Sequence, residues 1–172
     1  MTLKMTSLCG ALVLASAAAR AGGLEVQVEL PDISVAEYHR PYVAAWIEND
    51  RGQHQMDLAV WYDHQMRNKE GNKWLKDLRL WWRRSGRSLD MPVDGFTGAT
   101  RAPGTHYLSM ESAAVQMSTL APGDYALVVE AAREVGGREV VRVPFSWPVS
   151  SATGASAQGN NELGAVSLTV SP

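Results

Sequence analysis

Cysteine is all but missing from this 172-residue chain, which has one, Cys9, inside an apolar run near the N-terminus with further apolar residues after it. That setting fits neither a lipoprotein acylation site nor a disulfide. The rest of the chain therefore has no disulfide framework, thiolate nucleophile, cysteine-ligated zinc or iron–sulfur cluster, or CxxCH haem attachment. An excess of charge of one sign is lacking too, with 16 Lys+Arg against 18 Asp+Glu, a balance that argues against nucleic acid as a partner. The four histidines, His39, His54, His64 and His106, form no HxH or HxxxH pair, and the seven methionines are scattered. No metal site is expected from them. No GxSxG elbow is present, and no hydrolase is read from the chain.

Long hydrophobic runs are also absent. Leu8 to Ala19 is too short to span a bilayer as an anchor, and it follows the positive charge of Lys4 and precedes Ala19-Arg20-Ala21, a small-x-small cleavage site. Residues 1–21 read as a secretory signal peptide removed after Ala21, leaving residues 22–172 as a single exported domain without a transmembrane segment. Removing Lys4 and Arg20 leaves 14 basic against 18 acidic residues, a net of −4. An exported chain without disulfides must be held by core packing alone.

What the chain does have is short strands between turn residues. Leu24 to Leu30 alternates apolar and polar strictly, and Tyr42 to Glu48 and Met56 to Tyr62 flank Asn49-Asp50-Arg51-Gly52 as a hairpin would. His106 to Met110, Tyr125 to Ala131, Glu139 to Pro148 and Leu163 to Val170 bring the candidates to seven. Leu120-Ala121-Pro122-Gly123-Asp124-Tyr125 is built to turn sharply into a strand whose first aromatic folds back, as a tyrosine corner does. The expectation is a mainly β, immunoglobulin/fibronectin III-like two-sheet sandwich. Pro144 and Pro148 remove ladder donors, so their strand should lie at an edge or carry a bulge. Ser150 to Asn160, rich in Ser, Ala and Gly, is expected to be a mobile loop.

One segment breaks this pattern. Across Asn72 to Arg84, Trp74, Leu75, Leu78, Trp81 and Trp82 recur at helical spacing, which predicts one short amphipathic helix ended by Ser85-Gly86. From Arg67 to Arg87 eight basic residues face two acids, a local net of +6. Three readings stay open. The tryptophans cap one end of the sandwich and the charges are a solvated face; or Lys76, Arg79, Arg83 and Arg84, with Trp81 and Trp82, dock a partner protein or an anionic ligand; or the segment lies on a membrane surface.

The loop after it, Asp94-Gly95-Phe96-Thr97-Gly98-Ala99-Thr100, can be a plain turn. Asp94-x-x-Thr97-Gly98-Ala99-Thr100 also resembles the acceptor motif of bacterial flavin transferases, Asp-x-x-Ser/Thr-Gly-Ala-Ser/Thr. The resemblance implies covalent FMN, joined by a phosphoester to Thr100, with small Gly98 and Ala99 leaving that hydroxyl open and Asp94 ordering the loop. Many such motifs carry a further Ser/Thr two positions on, where this chain has Ala102.

A wider resemblance covers most of the chain after the leader. Tyr42 to Glu48, Lys73 to Arg79, Asp94 to Pro103, Pro122 to Tyr125 with Glu130 to Glu134, and Glu162 to Val166 are similar to the predicted bacterial periplasmic proteins called domain of unknown function 2271. The resemblance implies a periplasmic location and a setting beside a flavin transferase and a membrane-bound PepSY-type reductase, often in iron assimilation. Two functional expectations follow: a redox component carrying FMN at Thr100, or a non-enzymatic binding module that presents the Trp/Arg-rich segment.

Overall fold

In the computed structural model, residues 23–108 and 116–172 are described. The expected leader and the last two residues of the strand expected over His106 to Met110 lie outside them. The elements are β1 (Leu24–Leu30), β2 (Tyr42–Asn49), β3 (His54–Trp61), a 3-10 segment (Arg67–Asp77), α1 (Arg79–Arg84), β4 (Thr97–Gly98), β5 (Gly104–Tyr107), β6 (Gly123–Ala132), β7 (Arg138–Trp147), β8 (Thr153–Gln158) and β9 (Ala165–Val170). They form a five-stranded sheet in the order β4-β3-β2-β6-β7 and a four-stranded sheet in the order β5-β1-β9-β8. All pairs are antiparallel except the short parallel contact of β4 with β3.

Alternation along the strands builds the core between the sheets. Leu24, Val26, Val28 and Leu30 of β1 face Val43, Ala45 and Ile47 of β2, with Val129 of β6 and Val166 and Leu168 of β9 in the same cluster. Burying one such side chain contributes about 1.5–3 kcal/mol. β2 has no polar face, however: Ala44 and Trp46 point the other way and are as buried as their neighbours. They join Val60, Tyr62 and Val128 in a second apolar layer closed by Leu75, Leu78, Trp81 and Met91. The unbroken apolar run from Tyr42 to Ile47 is the sequence signature of a strand covered on both faces.

The Trp-bearing segment therefore covers the outer face of the five-stranded sheet and does not cap an end of the sandwich. Nor is it one helix. A 3-10 stretch runs to Asp77, the chain turns out of helical geometry at Leu78 (φ −74°, ψ 69°), and α1 starts afresh. The break has a cause on the neighbouring strand: the carboxylate of Glu130 on β6 accepts the N–H groups of Leu80 (3.1 Å) and Trp81 (2.8 Å), which fixes where α1 begins. Sequence periodicity sees Trp74 and Trp81 on one stripe but cannot see that carboxylate.

The corner at Tyr125 forms as expected, its hydroxyl donating to the Ala121 carbonyl at 2.7 Å. Gly52 at φ 68° closes the β2–β3 hairpin, where Asn49 Oδ1 accepts from the N–H of Gln53 at 2.9 Å. β7 is an edge strand as Pro144 requires, and it pairs with β6 without interruption from Arg138 to Trp147. The stretch Ser150 to Asn160 is corrected: residues 153–158 are β8, in register with β9 from Thr153↔Val170 to Gln158↔Ala165. Its alternating small residues have weak strand preference of their own, and the pairing comes from β9.

The turn between β8 and β9 is held by a carboxylate on β7. Glu139 accepts from the N–H groups of Asn160 (2.7 Å), Asn161 (3.0 Å) and Leu163 (2.9 Å). Burial pushes its carboxyl up, but these backbone donors outweigh burial and hold it below its ordinary value of 4.5. A depressed folded-state pKa gives stability that is present above the unfolded value and is lost as pH falls through the folded one. Glu139→Gln should therefore be less stable than the parent at pH 7, and the gap should shrink as the pH drops below 4.5. Urea unfolding at pH 7 and pH 3 checks this, and an equal gap at both pH values would contradict it.

Candidate functional site

The loop of Asp94 to Thr100 is fastened to the free edge of the five-stranded sheet. Val60 N–H donates to the Phe96 carbonyl at 2.8 Å and Tyr62 N–H to the Gly98 carbonyl at 3.0 Å, so Thr97 and Gly98 become β4. Thr97 fixes the turn itself. Its Oγ1 accepts from the Val93 N–H at 2.9 Å while its own N–H reaches the Val93 carbonyl at 3.2 Å. Asp94, expected to order the loop, is exposed, and no side-chain hydrogen bond of it occurs among the described residues. Gly98 is small because a Cβ there would lie 3.1 Å from the Trp61 ring, while Ala99 is exposed. Arg101 packs on the same ring, its guanidinium 5.4 Å from the Trp61 ring centroid.

Thr100 follows directly. It is half-buried, and its Oγ1 donates to Asp63 Oδ1 at 3.2 Å. Asp63 lies two residues past the end of β3 and lines, with Thr100, a cleft of about 420 Å³ where β2 begins and β3 and β6 end. The other walls include Tyr38, Arg40, Tyr42, Met66, Trp74 and Arg133. Burial, and next the charge of Asp63, push the Tyr42 phenol up to about 12, so it stays protonated as a donor. Arg133 lies beneath Tyr38, its guanidinium 5.8 Å from the ring centroid, and forms a bidentate pair with Glu162 at 2.9 and 3.1 Å.

Gly71 makes the approach of the 3-10 segment possible, since a Cβ there would fall 2.2 Å from the Asp63 carbonyl oxygen. That atom is backbone and cannot swing away. Gly71→Ala should therefore lift the segment that carries Trp74 off the cleft and lower stability by about 1–3 kcal/mol. Thermal unfolding and Trp fluorescence check this; an unchanged melting curve would contradict it.

The basic residues are placed differently from one another. Arg84 pairs with the buried Glu48 at 3.3 Å, and Trp81 is fully buried with its Nε1 on Asp57 Oδ1 at 2.8 Å. Ser85 Oγ donates to the same carboxylate at 2.7 Å. Trp82 is half-buried against the outer apolar layer. Lys76, Arg79 and Arg83 are exposed, with Arg83 Nε donating to the Arg79 carbonyl. Of the segment's basic residues Arg84 is thus matched by Glu48 from the sheet beneath, while Lys69 and Lys73 pair with Asp90 and Glu70 at the surface. Lys76, Arg79 and Arg83, with the exposed Arg67 and Arg87, enter no salt bridge among the described residues and are open to a partner, and none of them lines the cleft.

The sequence pointed at Thr100 but not at what surrounds it. Asp63, Tyr38 and Arg40 come from segments with no local pattern, brought together by the ends of β2, β3 and β6. No group of three or more His, Cys, Asp or Glu able to hold a metal occurs among the described residues, and no helix there is long and apolar enough to cross a membrane.

A family model described as "Predicted periplasmic protein (DUF2271)" matches residues 23–165. No curated protein and no solved structure matches the chain. The chain belongs to the predicted periplasmic protein family DUF2271, a family of unknown function.

Proposed function

We propose that this is an exported redox carrier that holds FMN through a phosphoester at Thr100 and passes electrons from a membrane-bound PepSY-type reductase to an acceptor such as ferric iron. The observation that supports it is the setting of Thr100. Its hydroxyl sits on a pinned sheet edge, bonded to Asp63 at 3.2 Å, on a cleft whose walls include a tryptophan and two tyrosines. A site of about 420 Å³ falls within the usual range for a small ligand, about 300–1,000 Å³. The donor set fits an acceptor role. Asp63 Oδ1 accepts the hydroxyl hydrogen bond and can take the proton as the Thr100 oxygen attacks the flavin-side phosphorus of FAD held by the flavin transferase, the pyrophosphate bond breaking and AMP leaving, and Thr97 holds the turn. When bound, the flavin would supply the electron-transfer chemistry, and the chain would supply tether, orientation and electrostatics.

The intact mass of the protein, exported from a bacterium that co-expresses a flavin transferase, tests the reading. The wild type should gain one FMN and Thr100→Ala should gain none, with the leader lost after Ala21 in both. An unmodified mass in the wild type would overturn it and would favour the second reading, in which the exposed Lys76, Arg79 and Arg83 dock a partner protein or anion. Flavin retained in Thr100→Ala would move the acceptor to another residue.

A further inference from the structure

We infer that the cleft beside Thr100 is a docking site for a planar aromatic ring, with Trp74 as its outer wall; for a ring tethered at Thr100 this rests on the acceptor reading above. Large hydrophobic side chains are exposed at five described positions, Val35, Met66, Trp74, Tyr107 and Val135, and two of them, Met66 and Trp74, line this one cleft. Trp74 is 48% exposed on a segment whose other large apolar residues, Leu75 and Leu78, are fully buried. Nothing in the packing of the second apolar layer needs it there. Tyr38 and Tyr42 line the same cleft, and indole and phenol faces favour offset stacking on a flat ring.

Charge adds direction to the site. Arg40 lines the cleft, is exposed, and enters no salt bridge among the described residues. Arg133, by contrast, is spent on Glu162. Asp63, Asp77 and Glu134 line the same cleft, so an anionic or carbonyl-bearing ring edge is drawn to the Arg40 side of it. A neighbouring cleft, across the turn from Asp63 to Met66, is lined by Tyr62, His64, Gln65 and Ala99 and measures about 270 Å³. It lacks Thr100 and any tryptophan, and it falls below the lower bound of about 300 Å³ usual for ligand sites. The reach of the tether and the aromatic lining both select the first cleft.

Emission of the loaded protein tests this without any electron-transfer assay. The flavin should be roughly fivefold to tenfold dimmer in the folded protein than after unfolding in urea, because a stacked ring is quenched. In Trp74→Leu, loaded to the same mass and with an unchanged circular dichroism spectrum, the two states should become nearly equal. A wild-type ratio near one, or a ratio unaltered in Trp74→Leu, would overturn the docking site. If the mass shows that no FMN is attached, the acceptor reading fails by itself, and the cleft is judged by titrating riboflavin into Thr100→Ala. Saturable quenching that Trp74→Leu abolishes would support the site, and its absence would overturn it.

Discussion

Glu130→Ala should lower stability by about 3–5 kcal/mol and detach the helical layer from the sheet. Glu130 is fully buried near the end of β6, two residues before Ala132. Its two oxygens accept from Leu80 N, Trp81 N and Arg138 Nε. Truncation leaves two backbone donors without partners beneath Trp81, and it strips a cation of its counter-ion. Each orphaned donor costs about 1–3 kcal/mol. A domain whose whole stability is roughly 5–15 kcal/mol cannot lose this much without a visible change. Urea unfolding and near-ultraviolet circular dichroism report it together, since Trp81 is held by Glu130 at its N–H and by Asp57 at its ring. Glu130→Gln, which keeps one acceptor oxygen, should lose less. A loss below about 1 kcal/mol for the alanine variant would mean that the layer is held by apolar packing alone.

The second large effect is expected at the other buried pair. Arg133 and Glu162 have side chains 6% and 4% exposed, and Glu162 also accepts from Gly137 N–H at 2.8 Å. The Glu162 carboxylate holds the guanidinium of Arg133 above its usual value. Arg133→Met leaves that carboxylate buried without its counter-ion and should lower stability by about 3–5 kcal/mol. Arg133→Lys should rescue little, because a single ammonium cannot make both fork contacts. Combining Arg133→Met with Glu162→Leu should recover most of the loss, since replacing a buried pair by apolar residues is often close to neutral. A double variant as unstable as the single one would show that Arg133 acts through Tyr38 and the cleft, not through its partner.

These two residues mark where the sequence stops being legible. Strict alternation in β1 gave its limits to the residue, and the Pro122-Gly123 turn gave the tyrosine corner. The apolar run of β2 carries the signature of a doubly covered strand, but it was read only as one arm of a hairpin, and the layer outside the sheet was missed. The kink at Leu78 was not readable, because it depends on a carboxylate some 50 residues away. β8 was hidden because Gly154, Ala155, Ser156 and Ala157 carry little hydrophobic signal. At the site, Thr100 was visible through its motif. Asp63, Tyr38 and Arg40 were not, since only the shared ends of three strands bring them to one place. Asp94 was read as the anchor of the loop where Thr97 is the anchor, because spacing alone does not tell which oxygen in a turn finds an N–H.

From the pairing of β1 with β9 an order of assembly is expected. Gly23 and Ser171 exchange two backbone hydrogen bonds, at 3.1 and 2.8 Å, and Leu24 lies opposite Val170. The core of the five-stranded sheet, β3-β2-β6-β7, draws on residues 54 to 147 and on β2 just before them, so it can zip up while the chain is still emerging. β1, although first out, has only the short edge strand β5 to pair with until the last strand arrives. Contacts of such long sequence separation form late and slowly. The half of the sandwich that carries the cleft is thus free to mature first, and joining the ends is the step that seals the core.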